Sequence, residues 1–493
     1  MKILNTEQLR EADRITIERQ GITSWQLMER ASTQLFLWIE KHLPEAQSFC
    51  IMAGVGNNGG DGLALARILL QSGKQVSVYL VQFSEQLSAD CQANLHLLEE
   101  LHLPIHPITA ENASTITLQG EVIVDAIFGV GLNRPVPTWV QSVFERINSA
   151  GAYVVSVDMP SGVYTDKATP DPFVKPSVVL TFQTPKLPLL LPQTGVHIPR
   201  WEALDIGLDT DFIASLSTDF TYLTEEIVTP LRKVRNKFAH KGTFGHALLI
   251  GGSYGKIGAV VLSATAALRI GTGLVTALIP RCGYPILQTA VPEAMVLTSD
   301  KKKHINTITV PFQPSAIGVG VGLGKHPDTA EALFELFDLY AQVPFVIDAD
   351  ALNLLAQHNE AQTKIPRSAI LTPHPKELER LIGSWNDDFE KIEKAKTFAL
   401  KHSIILIVKG AHTLITDGVH CWLNSSGNVG MATGGSGDVL TGILTGLRAQ
   451  GYSPLEAALL GVFEHGRRGD AVAQRIGEEA LIARDLAGSC FSL

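Results

Sequence analysis

FCIMAGVGNNGGDGLALARILLQ, residues 49–71, contains the repeating unit of the fold. Residues 49–53 form a short apolar, β-prone run, and residues 62–71 carry apolar side chains at helical spacing;. Between them lie Gly54, Gly56, Gly59 and Gly60 with Asn57, Asn58 and Asp61. A strand that passes through a glycine-rich turn into a helix opens a parallel strand–helix–strand unit. Gly54, Gly56 and Gly59 also satisfy GxGxxG, whose backbone can approach a pyrophosphate at a helix N-terminus;. A dinucleotide oxidoreductase built this way needs an acid about 20 residues further on, at the end of the second strand. Residues 80–84 read LVQFS, so that class is disfavoured. Asn57, Asn58 and Asp61 instead place amide and carboxylate oxygens inside the turn.

The alternation continues outward. Residues 6–19 and 24–40 have helical periodicity with Gly21 as a stop, and residues 76–81, 122–126 and 153–157 read as strands, with a helix over 88–101;. After the polar stretch 205–226 a second series begins, with strands at 247–250, 274–279, 316–319, 345–347, 369–371 and 404–408. Helices are expected at 258–270, 329–340, 375–382, 388–402 and 437–449. Two α/β domains follow, dividing near residues 210–230, each a parallel sheet with helices on both faces;.

At 493 residues the chain has room for about two to four domains;. Its 45% apolar and 18% charged residues describe a globular protein, and the net charge of −9 disfavours nucleic acid or anionic lipid as partners;. Cys50, Cys91, Cys282, Cys421 and Cys490 lie far apart, odd in number and without CxxC, and read as reduced, mostly packed thiols;. Charges every few residues over 1–20 are unlike a signal peptide, and no apolar run is long enough to span a membrane;. A cytoplasmic location is expected.

Two further strand ends share the design of the first, VDAIFGVG at 124–131 and DMPSG at 158–162. Carboxyl-terminal strand ends of a parallel sheet face one crevice, so Asn58, Asp125, Asp158 and Ser161 are expected to converge there;. Their oxygens, with no thiol or imidazole among them, suit a hard cation. In the second half, MATGGSGDVLTG at 431–442 aims free backbone N–H groups at one point, an anion hole suited to phosphate;. Asp438, at the start of the following helix, is placed to accept a proton from a hydroxyl;.

GNNGGDG, VDAIFGVG and DMPSG, in this order, resemble the YjeF N-terminal domain, an NAD(P)H-hydrate epimerase with a Rossmann-like sheet, over residues 1–215. The resemblance implies that Asn57, Asn58, Gly59, Gly60 and Asp61 contact a hydrated nicotinamide nucleotide, as do Gly129, Val130, Gly131, Leu132, Asn133, Arg134 and Pro135. Asp158 would contact the same nucleotide and act as acid or base, while Asn58, Asp125 and Ser161 would hold potassium. Ser32 stands where this family usually has Gly.

Residues 225–493 resemble the ADP-dependent NAD(P)H-hydrate dehydratases, which have a ribokinase-like α/β fold. HKGTFGHALLIGGS (240–253), AALR (266–269) with GLV (273–275), DADALNLL (348–355), TPHPKE (372–377), KGAHT (409–413) and GNVGMATGGSGDVLTG (427–442) carry the likeness, with Lys376 where relatives usually have Gly. By this analogy Ala259, Gly322, His374 and Asp438 would contact the hydrated dinucleotide. Lys409, Gly410, Ala411, His412, Thr413 and Gly437 would contact ADP, the co-substrate, and magnesium is expected with it.

The chain is therefore expected to be a bifunctional repair enzyme. The first domain would interconvert the two epimers of hydrated NADH and NADPH, and the second would dehydrate the S form while ADP becomes AMP and phosphate. A homo-oligomer is the expected assembly. The rival reading is a ribokinase-like kinase of a vitamin alcohol fused to a non-catalytic nucleotide-binding domain, since a glycine-rich loop with an Asp serves either purpose. Asn58, Asp125 and Asp158 weigh against a non-catalytic first half, because a docking surface has no need of convergent polar groups.

Overall fold

The strand Ser48–Ala53 is buried over nearly its whole length and lies inside a seven-stranded sheet. In this computed structural model residues 1–170 and 172–488 are described. The chain divides into two units, Met1–Phe220 with Asp387–Phe389, and Thr221–Asn386 with Glu390–Leu493. Across the first sheet the strands run in the order Ile105–Ile108, Gln75–Val81, Ser48–Ala53, Val122–Ala126, Tyr153–Val157, Val178–Phe182 and Trp201–Leu204. All neighbours are parallel. The chain leaves Ser48–Ala53 toward Gln75–Val81 on one side, while Val122–Ala126 lies on the other. That reversal of strand order opens a crevice at the carboxyl ends.

Three strands of this sheet went unread in the sequence, Ile105–Ile108, Val178–Phe182 and Trp201–Leu204. The helix after the first strand also starts earlier than expected, at Asn57 rather than residue 62. Gly56 takes the extended capping conformation, and NNGGD winds into the first turn. Close packing explains the glycines there: a Cβ on Gly59 would overlap the Gly54 carbonyl, one on Gly60 would lie 2.8 Å from Met28 Sδ, and one on Gly62 would lie 2.6 Å from Ala126 Cβ. Phe49, Ile51, Leu63, Leu65 and Val124 are fully buried beneath, each contributing about 1.5–3 kcal/mol of transfer free energy.

In the second unit seven strands run parallel in the order Met295–Ser299, Leu274–Pro280, His246–Ile250, Ala316–Val319, Phe345–Ile347, Ile370–Leu371 and Ile405–Val408. Leu414–Thr416 and Cys421–Asn424 extend the sheet as antiparallel strands, followed by Phe220–Leu223. This hairpin was unread too, because a three-residue strand shows no periodicity. Asp417 Oδ1 closes it by accepting from Val419 N and His420 N at 2.9 and 2.8 Å. Helix Ser436–Ala449 lies beneath the site, with Val439, Ile443, Leu444 and Leu447 in a core shared with helix Pro454–Ile476.

Cys50, Cys91 and Cys421 are buried free thiols and Cys282 is a partly exposed one, while Cys490 lies outside the described residues. No helix among the described residues is long and apolar enough to cross a membrane.

Candidate active sites

In the first unit, Gly54 lies so close to the Ile127 carbonyl that a Cβ would overlap it, so the turns after two neighbouring strands touch. Asp125, at the end of Val122–Ala126, has no exposed surface. Its carboxylate accepts from Ser156 Oγ at 2.7 Å, Ser161 N at 2.9 Å, Ser161 Oγ at 2.5 Å and Ile127 N at 3.5 Å. Among the described residues every one of these donors is neutral, and burial holds the carboxyl above the usual range despite them;. Phe128 N donates to Ser161 Oγ at 2.8 Å. Asn58 packs on the next residue, its Oδ1 3.0 Å from where a Gly129 Cβ would stand, and its buried Nδ2 has no hydrogen-bond partner among the described residues. Asn58, Asp125 and Ser161 thus gather through Phe128 and Gly129.

Asp158 departs from the expected convergence. Its backbone is left-handed, with φ of 62°, a conformation costing a non-glycine residue about 1–3 kcal/mol. The side chain pairs with Lys186, Nζ to Oδ1 2.8 Å, and the lysine is only 1% exposed. Thr181 Oγ1, Phe182 N and Val130 N also reach the carboxylate, at 3.3, 3.4 and 3.4 Å. Asp158 and Lys186 line a cavity of about 160 Å³ together with Asn57, Asp61, Asp13 and Val130. Burial and the charge of Asp158 raise Asp61 well above its ordinary pKa and push Asp13 up to about 7. Ser32, buried where the family usually has Gly, donates from Oγ to the Asp61 carbonyl at 3.1 Å.

Val130 also edges a wider groove of about 830 Å³, where Leu132 and Asn133 join Arg10, Arg14 and Lys167. Gly131, Arg134 and Pro135 are exposed and line neither space, and Gly59 and Gly60 are taken up in packing. Lys186 and Asp13 were missed in the sequence, although each left a trace. Lys186 is the lone charge in VVLTFQTPKLPLLLP (178–192), and Asp13 interrupts an apolar helical stripe between Leu9 and Ile17;.

The second unit's site is built on the first turn of Ser436–Ala449. Gly435 caps it in the left-handed region, with φ of 95° and no side-chain cap; Ser436 N donates to the Thr433 carbonyl at 3.4 Å, and the amides of Gly437 and Asp438, with no partner among the described residues, are left for an anion;. Gly437 faces a cavity of about 680 Å³ shared with Lys409, Gly410, Ala411, His412, Thr413 and His374. Asp438 faces a second cavity of about 370 Å³, with Ala259, Gly322, Asp350 and Glu377. His374, expected with Ala259, Gly322 and Asp438, instead lines the cavity of Lys409 and Thr413, and its helix partner Glu377 reaches the other one. His374 caps the helix Pro375–Ile382, its Nδ1 accepting from Lys376 N and Glu377 N at 3.1 and 3.3 Å. Lys376, the family departure, is exposed and uses only its backbone N–H here.

Beneath Asp438 lies a charged network. Lys409 Nζ stands 2.8 Å from Asp348 Oδ1 and 3.8 Å from Glu377 Oε2, and Thr441 Oγ1 donates to Asp348 Oδ2 at 2.7 Å. Burial pulls the Lys409 ammonium down, but Asp348 and Glu377 outweigh it and its pKa is raised. Asp438 is pushed up to about 6 by burial and the nearby Asp348, against the pull of Lys409. His465, missed in the sequence, lies under the turn with Nε2 3.3 Å from Ser436 Oγ, and burial brings it down to about 4.

Residues 24–188 match the family described as YjeF-related protein N-terminus, and residues 247–489 match NAD(P)H-hydrate dehydratase. The bifunctional NAD(P)H-hydrate repair enzyme of Coxiella burnetii is 37% identical over 98% of this chain and 97% of its own. Those of Moorella thermoacetica and Escherichia coli are 35% and 31% identical, over 99% and 97% of this chain and 95% and 91% of theirs. Among solved structures, the second unit is similar to an ADP/ATP-dependent NAD(P)H-hydrate dehydratase from Bacillus subtilis, at 29% identity and TM-score 0.48 over 55% of this chain and 96% of that one. With both halves matched in order and full-length relatives at this identity, the chain belongs to the family of bifunctional NAD(P)H-hydrate repair enzymes.

Proposed function

We propose that the two units return hydrated NADH and NADPH to use in two steps, epimerisation by the first and ADP-dependent dehydration by the second. The observation that carries the second step is the division of labour between Gly437 and Asp438. These consecutive residues face different cavities, one with Lys409–Thr413 and the other with Ala259 and Gly322. A nucleotide phosphate held by the helix amides and Lys409 then lies beside the base that serves the substrate hydroxyl.

Asp438 takes the proton of the C6 hydroxyl, and the oxygen attacks the terminal phosphoryl of ADP, releasing AMP. The C6–O bond then breaks with its pair leaving on phosphate, and loss of a C5 proton restores the dihydronicotinamide. The carboxylates of Asp350 and Glu377, on the lining beside Asp438, are hard oxygen donors that would suit magnesium carried in with the nucleotide;.

Potassium fits the first unit because Asp125 is a fully buried carboxylate whose described donors are all neutral. Asn58, Asp125 and Ser161 would hold the cation, which would compensate that charge and stiffen the Gly129 turn on the substrate side. Asn57, Asp61, Val130 and Asp158 enclose the reacting ring, and the wider groove accepts the rest of the dinucleotide. The protein works as a cytoplasmic homo-oligomer in this reading.

The deciding experiment follows return of reduced-nicotinamide absorbance from a mixture of both epimers, with and without ADP. Full recovery only with ADP is expected. Transfer of phosphate from ATP to a vitamin alcohol, with no recovery of the nicotinamide, would establish the kinase instead.

A further inference from the structure

The small cavity of the first unit holds more carboxylates than the epimerase reading has so far used. Asp13 projects from the opening helix Thr6–Gln20, Asp61 from Asn57–Gln71, Asp90 from Ala89–Glu100, and Asp158 follows Tyr153–Val157. The cationic side chain on this lining is Lys186, and its ammonium is committed to Asp158 at 2.8 Å and to the Phe182 carbonyl at 2.7 Å. No described residue donates a hydrogen bond to the Asp13 or Asp61 carboxyl. The remaining wall is apolar, with Leu9, Ile17, Leu27, Met28, Ile206 and Leu208. One cation cannot offset several carboxylates in so small an apolar space, and burial raises the pKa of both Asp13 and Asp61, whose carboxyls have no donor among the described residues;.

Resting on the epimerase reading, we infer that Asp13 is the catalytic acid of epimerisation, donating its proton to the C6 hydroxyl of the hydrated ring. The C6–O bond breaks with its pair leaving as water, the N1 lone pair forms the N1=C6 double bond, and Asp13 becomes the carboxylate. Water then adds to either face of C6, the double-bond pair returns to N1, and the proton lost by the added water returns to Asp13. Asp158, paired with Lys186, offsets the positive charge that develops on the ring. Asp61, which burial raises well above its ordinary pKa, faces the same cavity. The pKa of Asp13, about 7, suits a group that gives and regains a proton in each cycle;.

The test uses the full-length chain and the purified R epimer, with rates read as a function of pH. The wild-type epimerisation rate should fall as pH rises through about 7, since the acid must be protonated. Asp13→Asn should lower it by about 100-fold to 10,000-fold and abolish that falling limb. Asp13→Glu should restore part of the rate with the limb present. ADP-dependent dehydration of the S epimer by each variant reports that the chain is folded. Epimerisation by Asp13→Asn within a few-fold of wild type, or an unchanged limb, overturns the assignment while leaving the epimerase reading intact. A wild-type chain that dehydrates the S epimer but never interconverts the two overturns both.

Discussion

Asp438 shows how one residue sets function against stability. Its carboxyl is pushed up to about 6, so as a base it acts above that pH, and dehydration should fall as pH drops through about 6. Asp438→Asn should lower dehydration by about 100-fold to 10,000-fold with epimerisation intact, and activity within a few-fold of wild type would remove the residue from the mechanism. Because the folded pKa lies above the ordinary 3.8, ionising Asp438 costs the folded state stability that is lost as pH rises from 3.8 to about 6 and stays lost above it;. The Asn variant should therefore melt higher than wild type at pH 7, with the difference vanishing below about pH 4, as a calorimetric pH series would reveal. At the other site, replacing potassium with tetramethylammonium should slow epimerisation far more than dehydration. Equal sensitivity of the two steps would dismiss the cation role of Asn58, Asp125 and Ser161.

At the scale of the element, the first turn of Asn57–Gln71 reverses the usual account of glycine in a helix. Alanine normally improves a helix interior by about 1 kcal/mol over glycine. At position 59 the new methyl would meet the Gly54 carbonyl, backbone that cannot move without shifting the crevice. Gly59→Ala should destabilise the chain by about 1–3 kcal/mol and depress epimerisation, while dehydration by the second unit persists. Thermal melting together with the two activities decides this, and a stabilised variant would show that the close approach does not constrain the turn. The second unit's counterpart is Gly435, whose φ of 95° lets the turn open its amides toward the nucleotide cavity;.

For the whole molecule, two reactions in one chain make a complementation test available without cutting it. Asp158→Asn should recover reduced nicotinamide quickly from the S portion of an epimer mixture and then slow to the spontaneous rate of epimerisation. Asp438→Asn should interconvert the epimers and recover almost nothing. Mixing the two variants should restore complete recovery, because each supplies the step the other lacks. A mixture no faster than Asp158→Asn alone would mean that the activities cannot be divided between the units.

Legibility followed the range of the interactions. Alternating apolar runs and glycine-rich strand ends are local signals, so the two α/β units, the GNNGGDG and GGSGD turns and the oxygens of Asn58, Asp125 and Ser161 could be read directly. The hairpin Leu414–Asn424 and the strand Ile105–Ile108 escaped because such short strands owe their existence to neighbours distant in sequence;. Asp13 and Lys186 look ordinary in the chain, since a charge becomes chemically unusual only when other elements bury it. Folding puts Asp13 in one cavity with Asp61, Asp158 and Lys186, and turns Gly437 and Asp438 toward different cavities. The residue types and turns were determined by the sequence itself. Which carboxylates have a raised pKa, and which cavity Gly437 and Asp438 each face, was decided by tertiary packing, because desolvation and charge proximity depend on distances that no linear spacing contains;.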